Sequence, residues 1–320
     1  MRVLHAPQNL AGVAWNLACA QRGIGLESDC VAFPHPFGYP QHREYHPPDP
    51  EMHFKMPPRR REIPRDLLFA ASTARKYDVV HLHGTSLVAR RLDLPLHRLA
   101  GKRVVMHYHG TDIRGRAPRS LDRFAHHMLV STPDLLQFAP GSTWLPNPVP
   151  DHGVRRSTGD TDRVTVGHMP SSRTRKGTAN LRSAVSSLQK AHPEVCLRIV
   201  EDVSHSDALR ALGSFDMLVD CVEPAGGEGS ERRGWYGVVA NEAQHAGIPV
   251  LTTIRDDLAH HLPVASGIVP VDASSLLDVL MQLVEDPGRR RRLGEEGKRF
   301  VSSLHDPDRV ARITREIYLT

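Results

Sequence analysis

Cysteine is scarce in this sequence. The 320 residues contain four, Cys19, Cys30, Cys196 and Cys221, and no two of them form a C-x-x-C pair. Scattered cysteines exclude a disulfide-stapled scaffold and a zinc site built on thiolates, and they are typical of a reducing compartment. We therefore expect a cytoplasmic protein.

Long hydrophobic runs are also missing. No stretch approaches the ~20 consecutive apolar residues that a membrane-spanning helix needs. The opening residues, 1–7, are too few and too polar to form a signal peptide, and they predict a first strand instead. The sequence thus predicts no stable insertion into a membrane.

Acidic residues are outnumbered by basic ones. The chain has 41 Lys and Arg against 36 Asp and Glu, which gives a formal net charge of +5. Such a balance suits phosphate-bearing ligands, nucleic acid or an anionic membrane surface. No recognisable nucleic-acid-reading motif accompanies the charge. We therefore expect a phosphate-bearing ligand and no nucleic acid partner.

The length and the ordinary 40% hydrophobic content favour two domains. Residues 2–5 predict a strand, a turn follows at Gly12, and residues 13–22 predict a helix that ends at Gly23. Strand, glycine turn and helix are the opening unit of a doubly wound α/β domain. A second strand–helix series starts near residue 164, after a polar segment, 151–162, that predicts an interdomain linker.

Residues 34–64 have neither a helical nor a strand period. They are rich in proline, histidine and aromatic residues, among them Tyr39. A long irregular segment in a compact α/β domain is usually functional or disordered, and we interpret this one as a loop on the acceptor side. The spacing of its four histidines matches no familiar set of metal ligands, so no metal site is predicted there.

One stretch, residues 234–249, predicts an anion site. It opens with Gly234-Trp-Tyr-Gly-Val-Val and continues as a helix whose end is marked by Gly247 and Pro249. The N-terminus of a helix that follows a glycine turn presents backbone N–H groups and partial positive charge, which favour phosphate. Glu242 lies about one turn further on, where it could meet the ribose hydroxyls of a nucleotide. A plain strand–loop–helix connection is the alternative.

Two strand ends carry histidine and glycine together, in His81-Leu-His-Gly84 and in His107-Tyr-His-Gly-Thr-Asp112. Ligands of parallel sheets bind beyond the carboxyl ends of the strands, which places His83, His109 and Asp112 near such a site. The alternative is that these histidines only bond to the backbone.

Together these motifs resemble a known family, the retaining nucleotide-sugar glycosyltransferases of the GT-B fold, in the large family numbered four. The motifs that carry the resemblance are His81-Leu-His-Gly, His107-Tyr-His-Gly-Thr-Asp, Leu145-Pro-Asn-Pro, His168-Met-Pro-Ser-Ser-Arg-Thr-Arg-Lys-Gly, Gly234-Trp-Tyr-Gly with Glu242-Ala, and Gly247-Ile-Pro-Val. The resemblance covers nearly the whole chain in order. It implies two Rossmann-like α/β domains that face each other across a cleft: 1–150 with a returning last helix, about 307–320, and 151–306.

The resemblance also implies a donor site in the second domain. Arg173 and Lys176 match the basic pair that holds the diphosphate of the donor, and two cations beside a helix start suit a leaving group on which negative charge builds up. Glu242 matches the carboxylate that accepts the ribose hydroxyls. The expected donor-binding residues are Gly12, Arg173, Lys176, Trp235, Tyr236, Gly237, Val238, Val239 and Glu242.

Near the reaction centre, the resemblance implies a histidine close to the donor sugar, which is matched by His109. With Arg173 and Lys176 it makes up the expected catalytic set. His83, Asp112 and Tyr39 are expected on the acceptor side. The family generally uses neither a metal nor a bound cofactor, so the nucleotide sugar is expected as co-substrate only.

The sequence departs from the family at one position. The family usually has a glutamate eight residues before Glu242 that contacts the donor sugar, and here Gly234 stands in its place. Glu223, Glu228, Glu231 or backbone N–H groups could substitute for it. Recognition of the sugar is therefore expected to differ from the common pattern.

The sequence thus predicts transfer of a sugar from a nucleotide donor, UDP first and GDP next, to a hydroxyl of a small molecule, with retention of configuration. The arginine-, alanine- and proline-rich composition suggests a GC-rich bacterial genome and an acceptor from specialised metabolism, such as a nucleoside or an aminocyclitol. Alternatives are a transferase acting on a cell-surface glycan or capsule, a nucleotide-sugar epimerase, and a non-catalytic nucleotide-sugar-binding protein. A monomer or a homodimer is expected.

Overall fold

The computed structural model describes residues 1–32, 63–157, 163–223 and 234–320. The chain forms two compact units, one made of Met1–Pro148 with Asp306–Thr320 and the other of Val149–His305. Within the described ranges, no helix is both long and apolar enough to cross a bilayer.

The first unit contains a parallel six-stranded sheet. Its strands are β1 (Arg2–Ala6), β2 (Glu27–Cys30), β3 (Val79–His83), β4 (Arg103–Tyr108), β5 (His127–Val130) and β6 (Thr143–Trp144), in the spatial order β2-β1-β3-β4-β5-β6. The central β3 is buried at every position. In this register His5 lies beside His81 and His83 beside His107. Histidines of three neighbouring strands are therefore brought to one region of the sheet.

The second unit contains a parallel five-stranded sheet. Its strands are β7 (Val164–His168), β8 (Val195–Ile199), β9 (Met217–Cys221), β10 (Val250–Thr252) and β11 (Ile268–Pro270), in the spatial order β11-β10-β9-β7-β8. The strand order reverses direction at β7 and β9, and in such sheets ligands bind beyond the carboxyl ends near the reversal. Asp220 lies near the end of β9.

Helices pack on both sheets. They are α1 (Val13–Gly23), α2 (Ile63–Lys76), α3 (Asp93–Leu99), α4 (Thr178–Leu188), α5 (His205–Leu212), α6 (Val238–His245), α7 (Leu276–Glu285), α8 (Pro287–Leu304) and α9 (Pro307–Leu319). Three of them begin at capping motifs that the sequence shows, Ser204-x-x-Asp207, Asp286-Pro and Asp306-Pro. Ser204 accepts a hydrogen bond from the Asp207 N–H, and Asp286 and Asp306 each cap a helix whose first residue is proline.

The last helix, α9, belongs to the first unit. Val310, Ala311 and Tyr318 are buried in one apolar cluster with Leu17 of α1 and Val3 of β1. Burial of such side chains stabilises by about 1.5–3 kcal/mol each, which explains why a segment far along the chain is part of this unit.

Two elements differ from what the sequence pattern favours. The apolar residues 30–33 favour the second strand, but β2 pairs with β1 from Glu27 to Cys30. It is an edge strand with polar residues, so its hydrophobic pattern is weak. The short α3 was not predicted, because Pro95 lies in its first turn and reads as a breaker. The predicted α/β class itself is confirmed.

Gly177 provides a test of the packing in the second unit. It precedes α4 with φ of +69°, and a Cβ there would lie 1.9 Å from the carbonyl oxygen of Val222. We expect Gly177→Ala to lower the free energy of unfolding by about 3 kcal/mol, since left-handed backbone and overpacking both act against alanine. Urea unfolding followed by circular dichroism measures the change.

The matched control is Gly247→Ala, because Gly247 also has positive φ (+77°) but open space around its Cβ position. This variant should lose only about 1 kcal/mol, the cost of the left-handed conformation alone. Equal losses in the two variants would contradict the close approach of Gly177 to Val222.

Candidate functional site

The start of α6 is the centre of the candidate site in the second unit. Gly237 is the N-cap residue of α6, and its N–H donates a hydrogen bond to one carboxylate oxygen of Asp220 over 2.9 Å. The other oxygen of Asp220 lies 2.5 Å from the Lys176 Nζ. The first N–H groups of a helix have no acceptor inside the helix and carry partial positive charge. A lysine ammonium is therefore held beside the positive end of α6.

This ion pair is buried. The Lys176 side chain is 7% exposed and that of Asp220 is fully buried. A buried ammonium must be paired, since leaving one partner of such a pair alone costs about 3–5 kcal/mol. Asp220 thus compensates the charge of Lys176 and fixes its position. A bound phosphate would add a second anion to the same cation.

The loop between β7 and α4 places Lys176 there. Gly177 caps α4 in a left-handed conformation, and the Val222 N–H donates to the carbonyl oxygen of Lys176 over 3.2 Å. The loop is thereby drawn against the residues that follow β9. Only glycine fits at this contact, because a Cβ added at Gly177 would collide with the carbonyl oxygen of Val222.

Arg173 lies on the same loop but in a different setting. Its side chain is 56% exposed, and its guanidinium forms a fork with both carboxylate oxygens of Glu201, which follows β8. Such an exposed pair contributes at most about 1 kcal/mol. The cation can therefore be withdrawn from Glu201 by a stronger anion at small cost.

Glu242 is buried in the second turn of α6. It accepts a hydrogen bond from His205, the first residue of α5, with 2.7 Å between Oε1 and Nε2. His152 Nε2 lies 4.0 Å from the same oxygen. The Glu242 carboxylate, which the resemblance places at the ribose, therefore lies beside two imidazoles.

The side chains of Trp235 and Tyr236 point into the unit. They are 4% and 3% exposed, and the Tyr236 hydroxyl bonds to His305 over 3.0 Å beside Phe300. Their part in donor binding remains a prediction. Val238 and Val239, the first residues of α6, are partly buried.

The position of the expected glutamate, Gly234, is closed to any side chain. Its φ is +56°, and a Cβ there would lie 2.3 Å from Cγ of Arg255. Arg255 crosses over the glycine and pairs with Asp257. A glutamate at this position would therefore collide with Arg255 as it lies in this structure. Of the proposed substitutes, Glu223 donates its N–H to Thr253 Oγ1, whereas Glu228 and Glu231 lie outside the described residues.

In the first unit, five histidines form one hydrogen-bonded ring with three other side chains. Each neighbour pair lies 2.5–3.2 Å apart. In order around the ring, the members are Gln21, His5, His83, His109, Ser131, His107, His81 and Tyr318, which returns to Gln21. We call this the histidine ring.

The direction of the ring follows from Thr314. Its hydroxyl donates to the Ala311 carbonyl, so it must accept from the Gln21 amide nitrogen, which fixes the orientation of Gln21. The amide nitrogen then donates to Tyr318, and the amide oxygen accepts from His5. A neutral imidazole has one donor and one acceptor. Every histidine of the ring therefore carries its proton on Nε2.

Burial keeps these histidines neutral. It lowers the pKa of His5 to about 4 and that of His109 to about 3. The pKa values of His81, His83 and His107 are also lowered well below the usual value, first by desolvation and then by neighbouring histidines. If one imidazole took up a second proton, both its nitrogens would be donors, and one N–H group in the ring would have no acceptor.

The structure brings His83 and His109 into direct contact but leaves neither nitrogen of His109 free, since Nε2 faces His83 and Nδ1 faces Ser131. Asp112 accepts from the N–H groups of His109 and Gly110, and so fixes the turn after β4. Gly12 caps α1 with φ of +73°. Tyr39 lies outside the described residues.

Sequence reasoning missed several residues of these sites. Asp220 ends an apolar run, residues 217–220, that favours a buried strand, and a carboxylate near a strand's carboxyl end was the available signal. No sequence pattern pointed to His152 or His205, because both are far from Glu242 in the sequence and only the folding of the chain brings them close to it. The closure of the histidine ring by Gln21 and Tyr318, about 300 residues apart, was likewise invisible.

A search of solved structures found several likenesses over the full length of the chain. HepE from Anabaena, in complex with UDP and glucose, shares 14% identity and a TM-score of 0.68, with 100% of both chains covered. Sucrose-phosphate synthase from Thermosynechococcus elongatus shares 16% identity and a TM-score of 0.66, covering 99% of this chain and 98% of that one. A Listeria monocytogenes protein described as a UDP-N-acetylglucosamine 2-epimerase shares 12% identity and a TM-score of 0.59, covering 99% and 96%.

These likenesses establish the fold. It is GT-B. The GT-B architecture expected from the sequence motifs is thereby confirmed. At sequence identities of 12–16%, the likeness concerns the fold alone. No known protein family matches the sequence in a profile scan, and no curated protein matches it either.

The histidine ring makes a prediction that NMR can check. Long-range ¹H–¹⁵N spectra of the imidazoles at pH 7.5 should show His5, His81, His83, His107 and His109 all neutral and protonated on Nε2. Tyr318→Phe should disturb these signals, because it removes the donor to His81. Tyr77→Phe is the control, since the Tyr77 hydroxyl bonds to Asp29 outside the ring. A ring histidine protonated on Nδ1 would contradict the derived direction.

The same ring predicts how stability depends on pH. The folded-state pKa values of these histidines lie below the unfolded value of 6.5. At pH values between the two, the unfolded chain therefore binds more protons than the folded one. The contribution of the histidines to the free energy of unfolding is thus complete above pH 6.5. It is lost as the pH falls from 6.5 through the folded-state pKa values, about 4 for His5 and about 3 for His109. Urea unfolding at a series of pH values should show uptake of several protons on unfolding near pH 5. Uptake of less than one proton there would contradict neutral, buried histidines.

Proposed function

We propose that the chain is a glycosyltransferase that moves a sugar from a nucleotide-sugar donor to a hydroxyl of a small-molecule acceptor, with retention of configuration and without a required metal. UDP-sugars are the first candidates for the donor and GDP-sugars the next. The observation that carries the proposal is the Lys176 ammonium, which Asp220 holds at the N-terminus of α6. The GT-B fold, found also in HepE with UDP and glucose, supports it.

The geometry around α6 suits a nucleoside diphosphate. The N–H groups of Val238 and Val239 lie in the first turn, where a helix binds anions. The Lys176 ammonium, which is paired with Asp220, lies beside this end of the helix. Glu242 lies one turn further along the same helix and is a hydrogen-bond acceptor for hydroxyl groups. Phosphate and ribose sites therefore follow each other along one rigid element.

In the proposed reaction the bond between the anomeric carbon and the diphosphate oxygen breaks, and a bond from that carbon to the acceptor oxygen forms on the same face. The proton of the acceptor hydroxyl passes to a phosphate oxygen of the leaving group. Lys176 and the start of α6 stabilise the negative charge of that group. Arg173 joins them when it exchanges Glu201 for the diphosphate.

In this proposal, His109 stays in its predicted place near the donor sugar. Both its ring nitrogens bond within the histidine ring, so a direct contact with the sugar requires one of these hydrogen bonds to open. The structure supports a positioning part more strongly, since the N–H of His109 and the next residue are held by Asp112.

For the acceptor we propose a polar small molecule from specialised metabolism, such as a nucleoside or an aminocyclitol. The aromatic and histidine-rich composition of residues 34–64 is what favours such a ring-bearing molecule.

An epimerase that acts on a nucleotide sugar is the second candidate, favoured by the likeness of the fold to the Listeria protein. An epimerase inverts a carbon of the sugar and needs acid and base groups close to it. The expected sugar contact at 234 is a glycine under Arg255, which provides no such group. We therefore place transfer ahead of epimerisation.

The test is a thermal-shift screen with UDP, GDP, ADP and dTDP and their common sugar conjugates. A ligand that binds the native state raises its melting temperature by mass action. UDP and a UDP-sugar should give the largest shift, and Lys176→Gln and Glu242→Gln should each abolish it. Arg210→Ala is the matched control, because it removes an exposed cation, paired with Asp207, from the same unit.

Turnover then separates the candidates. With the stabilising donor, a transferase should release nucleoside diphosphate only when a hydroxyl acceptor is added, whereas an epimerase would change the sugar of the donor alone. Binding without turnover across a broad acceptor panel would identify a non-catalytic binding protein. No shift with any of the nucleotides would overturn the proposed function.

A further inference from the structure

Three side chains of the second unit converge on one point. They are His152 on the irregular segment that opens the unit, His205 at the start of α5, and Glu242 in α6. Their ligand atoms all lie within 4.8 Å of one another. The Glu242 Oε1 lies 2.7 Å from the His205 Nε2 and 4.0 Å from the His152 Nε2.

Two of these residues are held in place by the fold. Ser204 caps α5, so the backbone of His205 is fixed, and its imidazole is only 16% exposed. Glu242 belongs to α6, which is buried along most of its length, and the carboxylate is 8% exposed. His152, at 29% exposure, lies on the solvent side and can adjust. The arrangement is thus a rigid pair with one adaptable partner.

Two imidazoles and one carboxylate are the ligand set of many divalent metal sites, in which water or substrate fills the remaining position. Around a tetrahedral Zn²⁺, ligand atoms lie about 3.3 Å apart, given bonds of about 2.0–2.1 Å. Two of the three separations, 2.7 Å and 4.0 Å, bracket that value, and the ligand atoms of the two imidazoles lie no more than 4.8 Å apart. Closing the set around one ion therefore requires side-chain rotations that draw His152 inward and separate His205 from Glu242.

The surrounding charge also favours a cation. Glu242 supplies one negative charge at the site, and Asp151 lies close enough to His152 to influence it electrostatically. Asp151 itself is paired with Arg155 over 2.9 Å, so it acts as a second, partly compensated anion.

The histidine ring of the first unit is a weaker candidate for a metal. There, both nitrogens of every histidine already bond to a neighbour, and the ring contains no anionic ligand. A metal would have to replace a complete set of hydrogen bonds in a fully buried place.

We propose that His152, His205 and Glu242 form a site for a divalent transition metal of the Zn²⁺ class. The metal completes its coordination with water and joins the opening segment of the second unit to α5 and α6. This site is separate from any metal requirement of the reaction.

One consequence rests on the proposed function. If Glu242 also holds the ribose of the donor, metal and nucleotide compete for one carboxylate, and Zn²⁺ inhibits by weakening donor binding. The metal site itself does not depend on that step, since it follows from the geometry of three side chains.

The experiment is a titration of the untagged, full-length protein with ZnCl₂ by calorimetry, without nucleotide. A parallel titration with CoCl₂ reports coordination through the visible absorption of the ion. A Cys196→Ser background removes an exposed thiol that would bind either metal. We expect His152→Ala, His205→Ala and Glu242→Gln each to weaken one Zn²⁺ site by at least about tenfold, since even outer-shell partners of metal ligands contribute that much.

His192→Ala is the matched control. His192 also contacts two carboxylates, those of Glu194 and Glu285, through separate nitrogens, and its loss should leave the affinity unchanged. Because His152 is exposed, its substitution leaves the core intact and remains informative if the other variants fail to fold. Absence of Zn²⁺ binding, or binding that none of the three substitutions weakens, would overturn the proposal. Nucleotide binding is measured separately in metal-free buffer, so a failure of the metal site and a failure of the donor site are distinguishable.

Discussion

The Asp220 carboxylate is the contact on which the candidate site depends. It accepts the N–H that begins α6 and compensates the buried ammonium of Lys176, so one side chain sets both the start of the helix and the position of the cation. Gly177 must be glycine because the loop that carries Lys176 is pressed against Val222. The local backbone, the ion pair and the start of α6 are thus in direct contact with one another.

The two units stabilise their polar side chains differently, one with ion pairs and the other with hydrogen bonds between neutral groups. The second unit pairs charges: Lys176 with Asp220 in the interior, and Arg173 with Glu201 at the surface. The first unit holds five histidines in neutral form, four of them buried and His109 partly buried, and bonds them in a closed ring. The exposed pair can release Arg173 to an anionic ligand, and the buried pair fixes the position of Lys176, whereas the neutral ring fixes the side chains at the strand ends. This contrast agrees with a donor site in the second unit and a positioning framework in the first.

Much of the fold could be predicted from the sequence, because glycine turns, helix caps and apolar strands are local signals. Ser204, Asp286 and Asp306 mark helix starts that the structure confirms. The partners of the predicted site residues could not be predicted in this way. Asp220 meets Lys176 across 44 residues, and His205 meets Glu242 across 37, so each pair exists only after the sheet has formed. The same holds for the contact between Gly234 and the side chain of Arg255, 21 residues further along the chain.

The central claim is that Lys176 and the start of α6 bind the diphosphate of a nucleotide. Its most direct test is a comparison of UDP and uridine by isothermal titration calorimetry, in the wild type and in Lys176→Gln, with thermal unfolding to confirm that the variant is folded. The account predicts that UDP binds the wild type much more tightly than uridine does, and that the substitution removes most of this difference while leaving the affinity for uridine unchanged. An equal preference for UDP in both proteins would contradict it, because the diphosphate would then be bound elsewhere.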